Sequence, residues 1–229
     1  MEVKKVMSGT KEELFTKKYS IGIGISLGNK FFSIENILEY ISFSLKFSKG
    51  DVIIYVADTI HAYNLHVRKR ISFEKAKIIA VELGNEALTS VKNNLTQFSE
   101  DEISRIKFFS WSDIENTEEY QNVIKFTFDY FESNSDFRKE LRGMIMLWTE
   151  KEERKFSNED INIFAKYFLS ELPECLDKVK IGGLDCDAYI YPFESTFTDF
   201  VYNIQLGNKY KDLRSGIMKY GPKTLIIYN

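Results

Sequence analysis

Two short, continuous apolar runs constrain the fold of this chain most strongly. Residues 19–26 read YSIGIGIS and residues 51–58 read DVIIYVAD. Runs of this length without polar alternation are typical of strands that are buried on both faces of a parallel sheet. Between them, apolar residues recur at helical spacing up to Gly50, which predicts a helix with a C-terminal glycine. Together the three segments predict a βαβ unit.

Similar patterns continue along the rest of the chain and give the fold class. Ser157 followed by Asp160 indicates a capped helix start. We predict an α/β fold, a single Rossmann-like domain over residues 1–229, with a mostly parallel sheet and helices on both faces. The further predicted helices are 72–98, 117–133, 136–155 and 158–176, and the further predicted strands are 105–111, 187–193 and 223–229.

Composition and charge argue against several classes of protein. A net charge of −3 gives no overall basic field for nucleic acid, although a local basic patch is compatible with it. Cys175 and Cys186 have no metal-ligand spacing, and neither do His61 and His66, so we expect no metal site and no disulfide framework. A charged N-terminus and the lack of 18 consecutive apolar residues predict a cytoplasmic protein with no membrane contact.

The glycines of the first predicted strand raise the question of a cofactor. Gly22, Gly24 and Gly28 form G-x-G-x-x-x-G, one residue longer than the dinucleotide fingerprint, and Lys30 is followed by a phenylalanine, which excludes a P-loop. The alternative is that small residues clear space beside Ser26, at the carboxyl end of the strand, where α/β sheets place their ligands. A nucleotide-dependent Rossmann enzyme stays open, as does a serine that only begins a turn.

Three segments then resemble the tRNA-dependent cyclodipeptide synthases. They are GISLGNKFFS at 24–33, YFLSELP at 167–173 and Tyr191 followed by Pro192, in this order along the chain. The resemblance covers nearly the whole sequence. Asn29 and Pro192 belong to the signatures of two different subgroups of that family, so the subgroup is open.

The resemblance implies a fold similar to the catalytic domain of the class I tyrosyl- and tryptophanyl-tRNA synthetases, without their ATP-binding signatures. It also implies an enzyme that converts two aminoacyl-tRNAs into a 2,5-diketopiperazine with no cofactor, and a downstream tailoring enzyme would be a further partner. Ser26 would be the nucleophile, Tyr167 and Glu171 would hold the substrate ammonium, and Tyr191 would relay protons. The other residues that the resemblance suggests at the substrate site are Gly24, Asn29 and Tyr120.

These residue types suit covalent catalysis. An aminoacyl ester on Ser26 would divide one difficult transfer into two easier ones and keep the first residue in place. The Glu171 carboxylate could bind the α-ammonium and later accept its proton. A Ser-His-Asp hydrolase is disfavoured, because His61 and His66 follow the second predicted strand and no histidine is then available to activate Ser26.

A basic stretch follows the second predicted strand and is the candidate tRNA-binding surface. Phosphate contacts by lysine and arginine would give sequence-independent affinity. Acidic residues interrupt the stretch, so a solvated helix face is the alternative, and a non-catalytic aminoacyl-tRNA-binding module is a further one. The predicted tRNA-binding residues are Arg68, Lys69, Arg70, Lys75 and Lys77.

Glu174 suggests which amino acid is taken first. It lies three residues after Glu171, so the two carboxylates could share a helical face. Tyr189 and Asp58 are predicted to lie nearby. A pocket of carboxylates and phenols favours a polar or basic first residue such as histidine, because a buried unpaired carboxylate is costly beside leucine. The alternative is that Glu174 turns to solvent where Pro173 bends the helix and that the pocket is apolar.

Overall fold

The computed structural model of the protein describes residues 3–150 and 152–228. In these ranges the strands are β1 (Val3–Met7), β2 (Ile21–Ile25), β3 (Val52–Val56), β4 (Ile106–Ser110), β5 (Val179–Ile181), β6 (Leu184–Cys186), β7 (Ala188–Tyr191) and β8 (Thr224–Tyr228). The helices are α1 (Lys11–Phe15), α2 (Ile34–Phe47), α3 (Asp58–Lys69), α4 (Phe73–Asn93), α5 (Glu100–Ser104), α6 (Ser112–Glu115), α7 (Glu118–Ser133), α8 (Ser135–Thr149), α9 (Asn158–Leu176), α10 (Thr196–Gln205) and α11 (Lys211–Ile217).

The main sheet has the strand order β1-β8-β7-β2-β3-β4. Its strands from β8 to β4 are parallel, and β1 pairs antiparallel with β8. Strands β5 and β6 form a separate antiparallel hairpin. The predicted α/β fold with a mostly parallel sheet is therefore confirmed.

Both faces of the sheet are buried, as the continuous apolar runs predict. On β3, Val52, Ile54 and Val56 belong to the hydrophobic core that α2 and α4 cover. The intervening Ile53 and Tyr55 belong to a core on the opposite face. Because side chains alternate across a strand, only an apolar run without polar alternation fills both cores.

The strand order places the site. Strand β2 lies between β3, the next strand of the sheet along the chain, and β7, which comes much later. The order along the sheet therefore reverses at β2, and open α/β sheets bind ligands beside such a reversal, at the carboxyl ends of the strands. Ser26 follows β2, and Tyr191 ends the neighbouring β7.

The predicted helices are confirmed, two of them with shorter ends. Helix α4 ends at Asn93 rather than 98, and α8 ends at Thr149, before the charged segment that was predicted as helical; Lys151 lies outside the described residues. The predicted cap of α9 is present, because Ser157 and Asp160 exchange hydrogen bonds. This helix continues through Pro173 to its end.

Several elements were not predicted, namely β1, α1, α3, α5, α6, the β5–β6 hairpin, α10 and α11. The omission of α3 matters most for function, because α3 packs between α4 and α9. Its buried face includes Asp58, Thr59 and Asn64, and these polar residues hide the apolar periodicity by which a helix is recognised. Among the described residues, no helix is long and apolar enough to cross a membrane.

Candidate active site

A cavity of about 600 Å³ lies at the carboxyl ends of β2 and β7. This volume is within the range of small-molecule sites, roughly 300–1,000 Å³. Its walls come from the turn after β2, from α3, α8 and α9, and from the segment between β7 and α10. The lining includes Ser26, Tyr167, Glu171 and Tyr191, so the structure brings the four predicted catalytic residues together.

Ser26 and Tyr167 are in direct contact. The distance between Ser26 Oγ and the Tyr167 hydroxyl oxygen is 3.5 Å, and either group can donate the hydrogen bond. Tyr167 and Glu171 are one turn apart on α9, which directs both side chains to the same cavity. A ligand carbonyl at Ser26 would therefore have a hydroxyl and a carboxyl group beside it.

Burial sets the protonation of this group. The pKa of Glu171 is raised to about 8, first by burial and then by the nearby Glu174. Burial, followed by the charge of Glu171, also raises the pKa of Tyr167 and of Tyr191 above the ordinary tyrosine value. At neutral pH the empty site therefore holds a protonated carboxyl group and two neutral phenols, which can donate or pass protons.

The glycines of β2 make room for protein side chains. A Cβ atom on Gly22 would lie 2.6 Å from Cys186 Sγ, and one on Gly24 would lie 2.8 Å from the Tyr55 ring. The hypothesis of a phosphate-binding turn at Gly22 and Gly24 loses its basis, because Tyr55 and Cys186 fill the space beside them. Gly24 also borders the cavity, in keeping with a close approach of substrate to the backbone.

The turn after β2 is held by Gly28 and Asn29. Gly28 has a φ of +75°, a left-handed conformation that glycine adopts without strain. Asn29 borders the cavity, and its Oδ1 accepts a hydrogen bond of 3.1 Å from the backbone N–H of Phe31. The side-chain oxygen of Asn29 therefore already has one partner within the turn.

Four predicted substrate-binding residues lie outside the cavity lining: Asp58, Tyr120, Glu174 and Tyr189. Asp58 is buried, and its Oδ1 accepts hydrogen bonds from the backbone N–H groups of Thr59, at 2.8 Å, and Trp111, at 3.0 Å. It thus ties the start of α3 to the end of β4. The Tyr120 hydroxyl donates a 2.7 Å hydrogen bond to the carbonyl of Ser170. Asp58 and Tyr120 are therefore paired within the protein, and their contact with substrate stays a prediction.

Glu174 adopts neither of the two predicted arrangements. It is buried, it forms an ion pair with the equally buried Lys223, and it accepts a 2.8 Å hydrogen bond from the Tyr55 hydroxyl. The predicted neighbour Tyr189 lies with its ring centre 5.4 Å from Lys223 Nζ. Glu174 is therefore neither solvent-exposed nor an unpaired carboxylate. Sequence reasoning missed Lys223, whose one visible signal is a lysine at the head of a buried apolar strand.

Helix α3 contributes residues that the sequence did not assign to the site. His61, Asn64 and Arg68 all line the cavity, so a histidine borders the same cavity as the serine. Burial, followed by the charge of Arg68, lowers the pKa of His61 to about 4. His61 is therefore neutral at physiological pH, and the hydrogen bond of Ser26 Oγ is formed with Tyr167.

The predicted basic surface divides into two parts. Arg68 pairs with Glu152 at 2.6 Å and stacks 4.6 Å from the Trp148 ring, and Arg70 pairs with Asp160 at 2.5 Å. These two arginines are thus engaged within the protein. The remaining predicted residues are exposed lysines on α3 and α4: Lys69, Lys75 and Lys77.

Metal ligands are not grouped in the described part of the chain. There, no set of three or more histidine, cysteine, aspartate or glutamate side chains is arranged to hold an ion.

One known protein family matches most of this chain. The profile of the cyclodipeptide synthase family matches residues 6–215. Among curated proteins, no match to the chain was found.

Solved structures extend the similarity to the fold. A cyclodipeptide synthase from Bacillus thermoamylovorans is 22% identical, with a TM-score of 0.72 over 94% of this chain and 90% of the other. A Mycobacterium tuberculosis protein, described as showing that cyclodipeptide synthetases are related to type I tRNA synthetases, is 16% identical, with a TM-score of 0.69 over 96% of this chain and 92% of the other. A cyclodipeptide synthase from Candidatus Glomeribacter gigasporarum bound to Phe-tRNAPhe is 18% identical, with a TM-score of 0.59 over 92% and 87%.

Proposed function

The chain belongs to the cyclodipeptide synthase family of tRNA-dependent enzymes, and we propose that it forms a 2,5-diketopiperazine from two aminoacyl-tRNAs through an ester on Ser26. The observation that carries the proposal is the 3.5 Å contact between Ser26 Oγ and the Tyr167 hydroxyl in a cavity shared with Glu171. The complex of a relative with Phe-tRNAPhe supports the substrate class. Because charged tRNA is made and used in the cytoplasm, we place the activity there.

The first step transfers one aminoacyl group to the protein. Ser26 Oγ attacks the ester carbonyl carbon of the first aminoacyl-tRNA, and the bond from that carbon to the ribose oxygen breaks. The serine proton passes to the departing ribose oxygen, with Tyr191 as the relay. A phenol suits this role because it can accept and donate a proton without becoming charged for long.

The second step forms the peptide bond. Tyr167 and Glu171 hold the ammonium of the serine-bound residue, and the Glu171 carboxylate accepts a proton to leave a free amine. That amine attacks the ester carbonyl of the second aminoacyl-tRNA and releases its tRNA. The new terminal amine then attacks the Ser26 ester, which closes the ring and restores the serine hydroxyl.

A polar or basic first residue, such as histidine, is part of the proposal. Glu174 is one turn from Glu171 and belongs to a buried polar group with Tyr55 and Lys223. A first residue that can exchange hydrogen bonds is compatible with this polarity, whereas leucine would gain no hydrogen bond there. The preference rests on this polar group as a whole, since Lys223 already balances the Glu174 carboxylate.

This preference has a specific test. Glu174→Leu alone would leave Lys223 buried without its partner, so it is compared with the double variant Glu174→Leu/Lys223→Met, which replaces the ion pair by apolar side chains. We expect the double variant to shift the products from polar or basic first residues towards leucine and phenylalanine. An unchanged product profile in a folded double variant contradicts the preference.

The decisive experiment for the activity is expression in a bacterium, followed by mass spectrometry of the medium for diketopiperazines. Purified wild type incubated with radiolabelled aminoacyl-tRNA should carry covalent label, and Ser26→Ala should carry none and form no product. Ser104→Ala, at an exposed hydroxyl on α5, is the matched control and should keep both. Label that persists in Ser26→Ala excludes the serine ester, and bound charged tRNA without product indicates a binding module.

A further inference from the structure

Asn64 is a cavity residue with an unexplained polar atom. It lies on α3, its side chain is 4% exposed, and it belongs to the cavity lining. Within residues 3–150 and 152–228, its Oδ1 has no hydrogen-bond partner. A buried polar atom without a partner lowers stability, so native proteins seldom keep one unless it has a function.

The position of Asn64 along α3 indicates which part of a substrate it meets. His61 and Arg68, on either side of it, line the same cavity, and together they span about 10 Å of the helix. Arg68 stacks on Trp148, whose ring is 42% exposed. Helix α3 therefore presents a neutral imidazole and a carboxamide to the cavity, and Trp148 of α8 adds an aromatic surface beside Arg68.

The chemistry of the carboxamide selects among the groups that an aminoacyl-tRNA brings into the cavity. An α-ammonium only donates hydrogen bonds, and an ester carbonyl only accepts them. Adenine presents a donor, N6, beside an acceptor, N7, and asparagine matches this pair with two parallel hydrogen bonds. The flat face of adenine also suits stacking on an exposed aromatic ring.

We propose that Asn64 binds the adenine of the 3′-terminal adenosine of the aminoacyl-tRNA through its carboxamide, and thereby positions the attached ester for Ser26. This inference rests on the proposed function. The ribose of this adenosine carries the ester, so its base is brought to the cavity when the ester reaches Ser26. Every aminoacyl-tRNA ends in this nucleoside, which makes Asn64 a positioning residue for both substrates whatever their side chains.

The test is a cycle in which protein and nucleoside are changed separately and together. The tRNA ends in adenosine, in purine riboside, which lacks the N6 amine, or in 7-deazaadenosine, which lacks N7. The proteins are wild type, Asn64→Ala, Asn64→Asp and, as a matched control, Asn208→Ala at an exposed loop asparagine. Both kcat/KM with the charged tRNAs and the affinity for the uncharged tRNAs are measured.

For wild type and Asn208→Ala, we expect purine riboside or 7-deazaadenosine to lower both quantities about five- to a hundredfold. With the adenosine-ended tRNA, Asn64→Ala should have kcat/KM and affinity lowered by a similar factor. Its values for the three nucleosides should then differ by less than threefold. Asn64→Asp keeps the oxygen that accepts from N6 but loses the amide group that donates to N7. It should therefore still prefer adenosine to purine riboside and no longer prefer adenosine to 7-deazaadenosine. The thermal midpoint of Asn64→Ala should be unchanged or raised, because an unpaired buried atom is removed.

Two outcomes would overturn the inference. One is a loss in Asn64→Ala that is the same with all three nucleosides, which would assign Asn64 to the amino-acid side chain or to the fold. The other is full activity and affinity in that variant. If wild type forms no diketopiperazine from charged tRNA, the proposed function fails, and the affinity cycle with uncharged tRNA still decides whether Asn64 binds the adenine.

Discussion

The pH dependence of stability tests the electrostatics of the cavity through Glu171→Gln. In the folded protein the pKa of Glu171 is raised from 4.5 to about 8, by burial and then by Glu174. Glutamine has a similar shape and does not titrate. The difference in stability between wild type and variant therefore isolates the proton on this one side chain.

The sign of the effect follows from which state holds the proton. Below pH 4.5 the carboxyl is protonated in both the folded and the unfolded chain. As the pH rises towards about 8, the unfolded chain releases this proton and the folded protein keeps it, so the free energy of unfolding falls. Above the folded pKa both states are ionised and the loss is complete.

The magnitude follows from the width of this interval. At about 1.4 kcal/mol per pH unit, a fully shielded carboxyl would lose about 5 kcal/mol across it. Glu171 is half-buried at the wall of an open cavity, and solvent there screens part of its charge. We therefore expect wild type to lose about 2–3 kcal/mol relative to Glu171→Gln as the pH rises through the interval.

Urea unfolding at a series of pH values between about 5 and about 9 measures this difference. Glu86→Gln, at an exposed position of α4, is the matched control and should follow wild type. Stability curves of wild type and Glu171→Gln that run parallel over the whole range would refute a raised pKa at Glu171. The same ionisation should make kcat/KM of wild type rise up to about pH 8, because only the carboxylate can accept the substrate proton.

Two further predictions concern the buried ion pair and the tRNA surface. Lys223→Met should lower the free energy of unfolding in urea by about 3–5 kcal/mol, because Glu174 loses its partner. Adding Glu174→Leu should recover most of this loss. If the losses of the two single variants simply add in the double variant, the two side chains do not interact. Charge reversal of Lys69, Lys75 and Lys77 together should raise KM for aminoacyl-tRNA and weaken its salt dependence, with kcat little changed. Reversal of three exposed lysines elsewhere is the control, and equal effects of the two triple variants would place the tRNA on another surface. The control positions are Lys18, Lys46 and Lys211.

The part of the site that could be predicted from sequence consists of local signals. Ser26 ends a buried strand, Tyr167 and Glu171 share one helical turn, and Tyr191 ends another strand. Parallel strands bring their carboxyl ends to one edge of the sheet, so these positions converge once the fold class is known. Their roles came from the resemblance to a family, because single tyrosines and glutamates have no distinctive pattern.

The unpredicted parts depend on contacts between distant segments. Lys223 and Glu174 are 49 residues apart in sequence, and each alone would be expected at the surface. Helix α3 was missed because its buried face carries polar residues, and the place of His61 in the cavity lining was consequently missed too. In both cases the structure depends on a contact between distant segments, which no local sequence pattern indicates.

Hydrogen-bond partners separate the supports of the site from the residues that can meet a substrate. Asp58, Tyr120 and Glu174 have residue types that suggest ligand binding, and each is already paired inside the protein. A side chain whose polar atoms are paired in the empty protein gains little from a ligand, because it must exchange one hydrogen bond for another. Asn64 has a buried oxygen without a partner in the described chain, and Glu171 faces the same cavity with a proton that an incoming ammonium would displace. We therefore expect the binding energy to be concentrated at these two positions, on the neighbouring helices α3 and α9, where a substrate would complete pairings that folding leaves open.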